Sequence, residues 1–270
     1  MSRRRSQTGW VPTLAERLDV LAAHQPDRLD LVAAAIARLA PDPPADDDVV
    51  ANLDRLAAAL GPGEVTADDV IDHVFIKLGF LGDTERYHRS ANSYIHRVLA
   101  RRRGIPITLA VVAVEVGRRV GVPLTVVGLP GHVVVGDGHR PERWFDPFSG
   151  GAHLDLDDCR LLFARVQPVE RFDPSMVRPL PVTGLISRML NNLKVSHHRG
   201  GDLPELARVL AVTSELPWSP SSEREELAKV LGASGRDEQA AVVWEQLAEL
   251  EPSRASAHRA AARRHLARRN

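Results

Sequence analysis

The segment from Ile105 to Val116 is apolar on nearly every side when it is drawn as a helix. Such a helix is packed all round by other elements instead of lying at a surface. Pro106 is tolerated at a helix start, and Gly121 and Pro123 follow the last turn as stop signals. Strand-like runs come next: LTVVG, HVVVG and RWFD. One buried helix followed by short antiparallel strands predicts an α+β domain.

Helical patterns lie on both sides of this segment, and they suggest a division into domains. We expect an N-terminal segment at 1–30 that is in part disordered, and a helical lead-in joined to the α+β core at 31–172. A proline-rich linker at 173–183 then leads to a helical domain at 184–270. In that last domain, LAKVLGASGRDEQAAVVWEQLAELEP resembles a tetratricopeptide repeat. If Pro252 closes a unit of about 34 residues, Leu227, Ala240 and Trp244 fall on consensus positions, while other consensus positions hold different residues.

The charge balance and the cysteine count exclude several classes of protein. The chain has 35 Lys+Arg and 35 Asp+Glu, whereas general nucleic-acid and membrane-surface binders carry a basic excess. One cysteine, Cys159, forms no internal disulfide and favours a reducing compartment. No signal-peptide pattern or membrane-spanning stretch is apparent, so we predict a cytoplasmic protein. No H-x-x-x-H or Cys/His pairing indicates a metal, and no glycine-rich phosphate loop indicates a cofactor.

Two of the strand-like runs form a predicted hairpin with a histidine at one end and an aspartate at the other. A turn centred on His139 places His132 opposite Asp146, and Val134 opposite Trp144. Opposed residues have Cβ atoms about 4.5–5.5 Å apart, so the imidazole can reach the carboxylate. A carboxylate in that position orients the ring and stabilises the imidazolium. The alternative is that Asp146 only shapes the turn while His132 only begins a strand.

The same strand pattern, HVVVG followed by WFDPF, is similar to that of transglutaminase-like and papain-like folds. Three longer segments resemble the SirB1-type branch of the transglutaminase-like superfamily: SANSYIHRVLARRRGIPITLAVVAVEVGRRVGVPLTVVGLPGH, FDPFSGG and LISRMLNNLKVSHHRGGD. The resemblance covers roughly residues 70–255. It implies a papain-like core with a nucleophilic cysteine at the start of the buried helix, and with a histidine and an aspartate, here His132 and Asp146, on neighbouring strands.

The family spacing places Pro106 where the thiol belongs, and proline has no nucleophile. Thr108 lies two positions further on, and a hydroxyl can be activated by a histidine, but a threonine inside a helix more often bonds its own backbone. Cys159 follows LDLDD at a predicted helix start, where a thiolate is stabilised, yet free cysteine is usually a small buried hydrophobe. Both alternatives stay open at this point.

Four further residues are candidates for ligand binding. Asn92 and Tyr94 belong to the NSY stretch before the buried helix, Arg102 belongs to the basic run RRRG, and Trp144 lies on the second strand of the hairpin. Each could line a cleft, and for the NSY residues capping and packing are the favoured alternative.

Two functions fit these observations. The first is a non-catalytic transglutaminase-like module that binds a protein or peptide, because helical repeats build concave binding surfaces. The second is an amide hydrolase or acyl-transferase in which His132 is the base, Asp146 orients it, and Thr108, Cys159 or a bound water attacks.

Overall fold

The computed structural model describes residues 10–45, 47–167 and 171–268. These form two compact units: a core unit, His24–Met189, and a helical unit made of the described residues of Met1–Ala23 and Leu190–Asn270. The described part of the chain contains twelve α-helices and seven strands. None of the described helices has the length and apolar composition of a membrane span.

The α-helices of the core unit are α2 Leu29–Ala37, α3 Asp48–Ala58, α4 Ala67–Ile71, α5 Ile95–Arg101, α6 Pro106–Arg119 and α7 Leu156–Val166. Those of the helical unit are α1 Trp10–His24, α9 Leu203–Glu215, α10 Ser221–Ala233, α11 Asp237–Leu250 and α12 Ala255–Ala267. The last residue of α1, His24, is counted in the core unit. Helix α8, Val182–Gly200, runs across the division. The strands are β1 Leu81–Gly82, β2 Arg103–Gly104, β3 Leu124–Leu129, β4 His132–Asp137, β5 Trp144–Asp146, β6 Ala152–Leu154 and β7 Arg178–Pro179.

Helix α6 is the centre of the core unit. It contacts strands β3 and β4 as well as helices α2, α3, α4 and α5. Every residue from Pro106 to Gly117 is buried. The helix begins at Pro106, whose fixed φ suits the first helical position. The prediction that this helix is packed on all sides is therefore confirmed. The α+β fold class is confirmed as well.

Five of the strands form an antiparallel sheet in the order β6-β5-β4-β3-β7. Strand β7 pairs with β3 at the position where the sequence predicts a linker, and the amide of Leu180 donates to the carbonyl of Val126 at 2.8 Å. In the segment expected to be in part disordered, α1 begins at Trp10, and Leu14 and Leu18 on it are buried. Residues 1–9 lie outside the described part.

The register between β4 and β5 differs from the predicted one by two residues. Gly136, not Val134, lies opposite Trp144, and Val135 lies opposite Phe145. The turn is centred on Arg140 instead of His139, because the Asp137 amide donates to the Arg143 carbonyl at 3.1 Å. A shift of two keeps every side chain on its face of the sheet.

The helices of the helical unit pack in sequence, α9 against α10, α10 against α11, and α11 against α12. Their shared core contains Leu227, Ala240 and Trp244, the three residues that the repeat-like pattern singles out. Leu206 and Leu210 from α9 complete one side of that core.

Candidate functional site

His132 and Asp146 are hydrogen-bonded to each other. The imidazole Nε2 lies 3.1 Å from the Asp146 carboxylate Oδ1, with 14% of the histidine side chain and 4% of the aspartate side chain exposed. They are the first residue of β4 and the last of β5, and in the observed register they are diagonal neighbours instead of direct partners. The side chains still meet because diagonal positions on one face are within reach of long side chains.

The Asp146 carboxylate also organises the turn that follows it. Oδ1 accepts from the Phe148 amide at 2.9 Å, and Oδ2 accepts from the Ser149 hydroxyl at 2.6 Å. Burial alone would raise the pKa of Asp146, but the hydrogen bonds from His132, Ser149 and Phe148 and the charge of His132 outweigh burial and lower it. The sequence left open whether Asp146 orients the His132 imidazole or only shapes the turn. In the structure the same carboxylate does both.

The Thr108 hydroxyl is fully engaged with backbone groups. It donates to the Asn92 carbonyl at 2.8 Å and accepts from the Ile105 amide at 3.2 Å. The side chain is completely buried. Thr108 therefore completes the first turn of α6, in the manner of a threonine that bonds its local backbone.

Cys159 is packed in an apolar cluster. It is fully buried against Val127, Val134 and Trp144. Burial, together with the negative charges of Asp158, Asp155 and Asp146, raises the pKa of its thiol to about 11. A thiol in such surroundings is a poor nucleophile because the thiolate is the reactive form. Neither Cys159 nor Thr108 hydrogen-bonds His132.

Three of the four candidate binding residues are part of the core. Asn92 is buried and bonds the Arg86 carbonyl, Tyr94 is completely buried, and Trp144 packs beside Cys159. Arg102 is exposed, in a left-handed conformation with φ of 55° that ends α5. The three buried side chains stabilise the fold and have little surface to offer a ligand.

The structure brings to this site residues that the sequence analysis did not single out. Arg188, on α8, donates from Nη2 to the carbonyl oxygens of Leu129 and His132, at 3.0 Å each. Tyr87 and Phe148 form an edge-to-face pair with ring centroids 5.6 Å apart. Arg188 stands in LISRML, where the sequence alone would predict an exposed helical arginine.

One group of side chains in the helical unit has the spacing of metal ligands: Glu225, Glu251 and His258. Two of its three members already pair with the Arg254 guanidinium. Arg254 Nη1 lies 2.5 Å from the Glu225 carboxylate and 3.0 Å from that of Glu251. We therefore interpret the group as an ion-pair cluster.

Comparison with known proteins assigns the family. The model of the transglutaminase-like superfamily matches residues 27–191, which is more than half of the chain. The chain belongs to the transglutaminase-like superfamily. The matched region contains α6, the five-stranded sheet and the His132–Asp146 pair, so the family assignment and the site geometry concern the same part of the molecule.

Curated proteins match over a shorter region. A UPF0162 protein of Xylella fastidiosa (strain 9a5c) is 38% identical over 132 residues, 45% of each chain. A UPF0162 protein of Vibrio cholerae is 30% identical over 119 residues, 43% of this chain and 44% of the relative. F-box only protein 21 of Mus musculus is 29% identical over 135 residues, 46% of this chain and 21% of the relative. This transglutaminase-like chain thus spans about half the length of the UPF0162 relatives it matches.

Proposed function

We propose that this chain is a non-catalytic transglutaminase-like protein that binds a protein or peptide. One observation carries the proposal: the His132–Asp146 pair is intact, but no thiol or hydroxyl nucleophile among the described residues hydrogen-bonds the imidazole. The position that the family gives to the thiol holds Pro106. Thr108 is engaged by backbone groups, and Cys159 is buried with a raised pKa. A pair of this kind can hold a ligand or the turn, but the described residues give it no thiol or hydroxyl to activate.

Two further observations favour a binding module. The segments similar to the SirB1-type branch continue into helices that resemble a tetratricopeptide repeat, and such helices commonly present peptide-binding surfaces. The 135 residues that align with F-box only protein 21 make up only about a fifth of that protein. A similar region therefore occurs there as one part of a longer chain. We place the protein in the cytoplasm, with a protein or peptide partner and with no cofactor.

Replacing Asp146 with asparagine tests this proposal. The change keeps the shape of the side chain but removes the charge that His132, Ser149 and the Phe148 amide stabilise. We expect the free energy of unfolding to fall by about 1–3 kcal/mol at neutral pH. Hydrolysis of p-nitrophenyl acetate should be the same for both proteins and equal to the rate with Asp157→Asn, a control at an exposed carboxylate.

The pH dependence of that stability difference has a definite sign. The pKa of Asp146 is lower in the folded state than its ordinary value, so its contribution is fully present above the ordinary value. It is lost as the pH falls through the folded pKa. The gap between the two proteins in urea denaturation should therefore close in acid. A drop in the rate of hydrolysis of about 100-fold or more in Asp146→Asn, the size of a general acid–base contribution, would contradict the non-catalytic proposal.

The alternative function is an amide hydrolase or acyl-transferase that uses a bound water. It is favoured by the ionised carboxylate of Asp146 beside an imidazole that is 14% exposed, since this is the pair a general base requires. Under this alternative, His132→Ala abolishes a turnover that the unmodified protein shows. Under the main proposal, the two proteins release product from an amide substrate at the same background rate.

A further inference from the structure

Arg188 places a positive charge at the β3–β4 turn, where its guanidinium bonds the backbone of His132. Its Nη2 is fixed by the carbonyl oxygens of Leu129 and His132, the two residues that flank the β3–β4 turn. Both N–H groups of Nη2 are used by these two bonds, so the guanidinium is held in one place. The N–H groups on Nε and Nη1 remain.

No carboxylate of the described residues pairs with this guanidinium. Other partly buried arginines of the core unit are paired: Arg119 contacts Asp30, Asp54 and Glu115, and Arg101 contacts Asp83. Burial lowers the pKa of Arg188, and the other influence on it is the nearby Tyr87. A partly buried charge without a counter-charge is costly, so an anion that reaches it recovers free energy.

An apolar surface borders the cation. The charge of Arg188 is felt by Tyr87, whose ring packs edge-to-face against Phe148. Tyr87 is 37% exposed, and Leu81 on the adjoining strand β1 is 41% exposed. Phe148 is half-buried and follows Asp146 in the turn. A cation and exposed aromatic and aliphatic groups therefore share one side of the core unit.

We propose that Arg188, together with Tyr87 and Phe148, binds a peptide through a carboxylate and an adjacent large apolar side chain. Guanidinium N–H groups form charge-assisted hydrogen bonds with carboxylates, and aromatic rings accept an apolar side chain. The aromatic rings near the guanidinium favour a ligand that joins its anion to an apolar side chain, as a peptide does. This inference rests on the proposed binding function and gives it a ligand class.

The experiment uses fluorescein-labelled peptides that contain Leu-Phe, with binding followed by fluorescence polarisation. One ends in a free carboxylate, a second ends in a carboxamide, and a third ends in a carboxamide but has Glu before Leu-Phe. The proteins compared are the full chain, Arg188→Gln, and Arg208→Gln, a control whose guanidinium bonds Glu205. We expect Arg188→Gln to weaken binding at least about tenfold, the size of effect that loss of a charge-assisted bond produces, and Arg208→Gln to leave it unchanged.

Each outcome decides something. Binding of the first peptide alone identifies a terminal carboxylate, and binding of the third identifies an acidic side chain. Equal affinity for the neutral second peptide, unchanged affinity in Arg188→Gln, or no binding of any peptide would overturn the inference. The proposed function fails by a different result, His132-dependent turnover, so the two failures are distinguishable.

A second measurement avoids any variant that might not fold. N-acetylphenylalanine and its amide, which differ only in the carboxylate, are titrated into the unmodified protein as competitors of the bound peptide. We expect the acid to displace the labelled peptide and the amide to fail. Equal displacement by both compounds would overturn the role assigned to the carboxylate.

Discussion

Replacing Glu115 with alanine is expected to destabilise the protein by about 3–5 kcal/mol, the cost of breaking a buried ion pair by removing one partner. Glu115 lies on α6 and is completely buried. Its carboxylate accepts from the Asp30 amide at 3.1 Å, from Arg118 at 2.9 Å and from Arg119 at 2.5 Å. The substitution leaves these donors without that acceptor in the interior.

The same cluster joins α2 to α6. Asp30 is also completely buried and bonds Arg28, Arg118 and Arg119. Burial would raise the pKa of Asp30, but its hydrogen bonds to Arg28 and Arg119 outweigh burial and lower it. The helical lead-in is thus tied to the central helix by charge as well as by apolar contact.

Urea denaturation followed by circular dichroism measures the effect of Glu115→Ala. The matched control is Glu245→Ala, which removes a carboxylate from an exposed pair with Arg259. Exposed pairs contribute little, so this variant should unfold close to the unmodified protein. Similar midpoints for the two variants would contradict the structural role given to Glu115.

Replacing Pro106 with cysteine is expected to create an activated thiol. Pro106 is the first residue of α6, and α6 packs against β4, which begins at His132. A helix N-terminus and a neighbouring imidazolium both lower the pKa of a thiol. We expect iodoacetamide to alkylate the new cysteine at least about tenfold faster at neutral pH than an unperturbed thiol.

Two comparisons isolate the cause of that reactivity. Pro106→Cys combined with His132→Ala should lose most of the gain, because the imidazole is removed while the helix terminus remains. The native Cys159 serves as an internal reference, since burial and the charges of three carboxylates raise the pKa of its thiol to about 11. A new thiol that reacts equally fast with and without His132 would show that position 106 does not face the pair.

The sequence predicts the centre of this fold well because burial leaves a clear pattern. The segment from Ile105 to Val116 is apolar on nearly every side, and it forms most of α6. The antiparallel pairing of β4 with β5 places His132 and Asp146 on one face of the sheet. The register was wrong by two because the turn is set by a bond between Asp137 and Arg143, which no alternation pattern shows.

Other features left no local signal. Strands β6 and β7 have three and two residues, too short to show a period. Arg188 reaches the site from a helix 56 residues after His132, and its meaning depends on the two carbonyl oxygens that fix it. The sequence missed Arg188 and proposed the buried Asn92 and Tyr94 as binding residues for the same reason. Periodicity reports burial, whereas a binding surface depends on which side chains, distant in sequence, lie together in the fold.

The central claim is that the His132–Asp146 pair no longer serves a nucleophile. The most direct test is intact-protein mass spectrometry after exposure to an activated acyl donor such as p-nitrophenyl acetate, with the unmodified chain and Pro106→Cys measured side by side. We expect a covalent acyl adduct on Pro106→Cys that depends on His132. On the unmodified chain we expect no adduct that depends on His132. A His132-dependent acyl adduct on the unmodified chain, mapped to Thr108, Cys159 or any other residue, would contradict it.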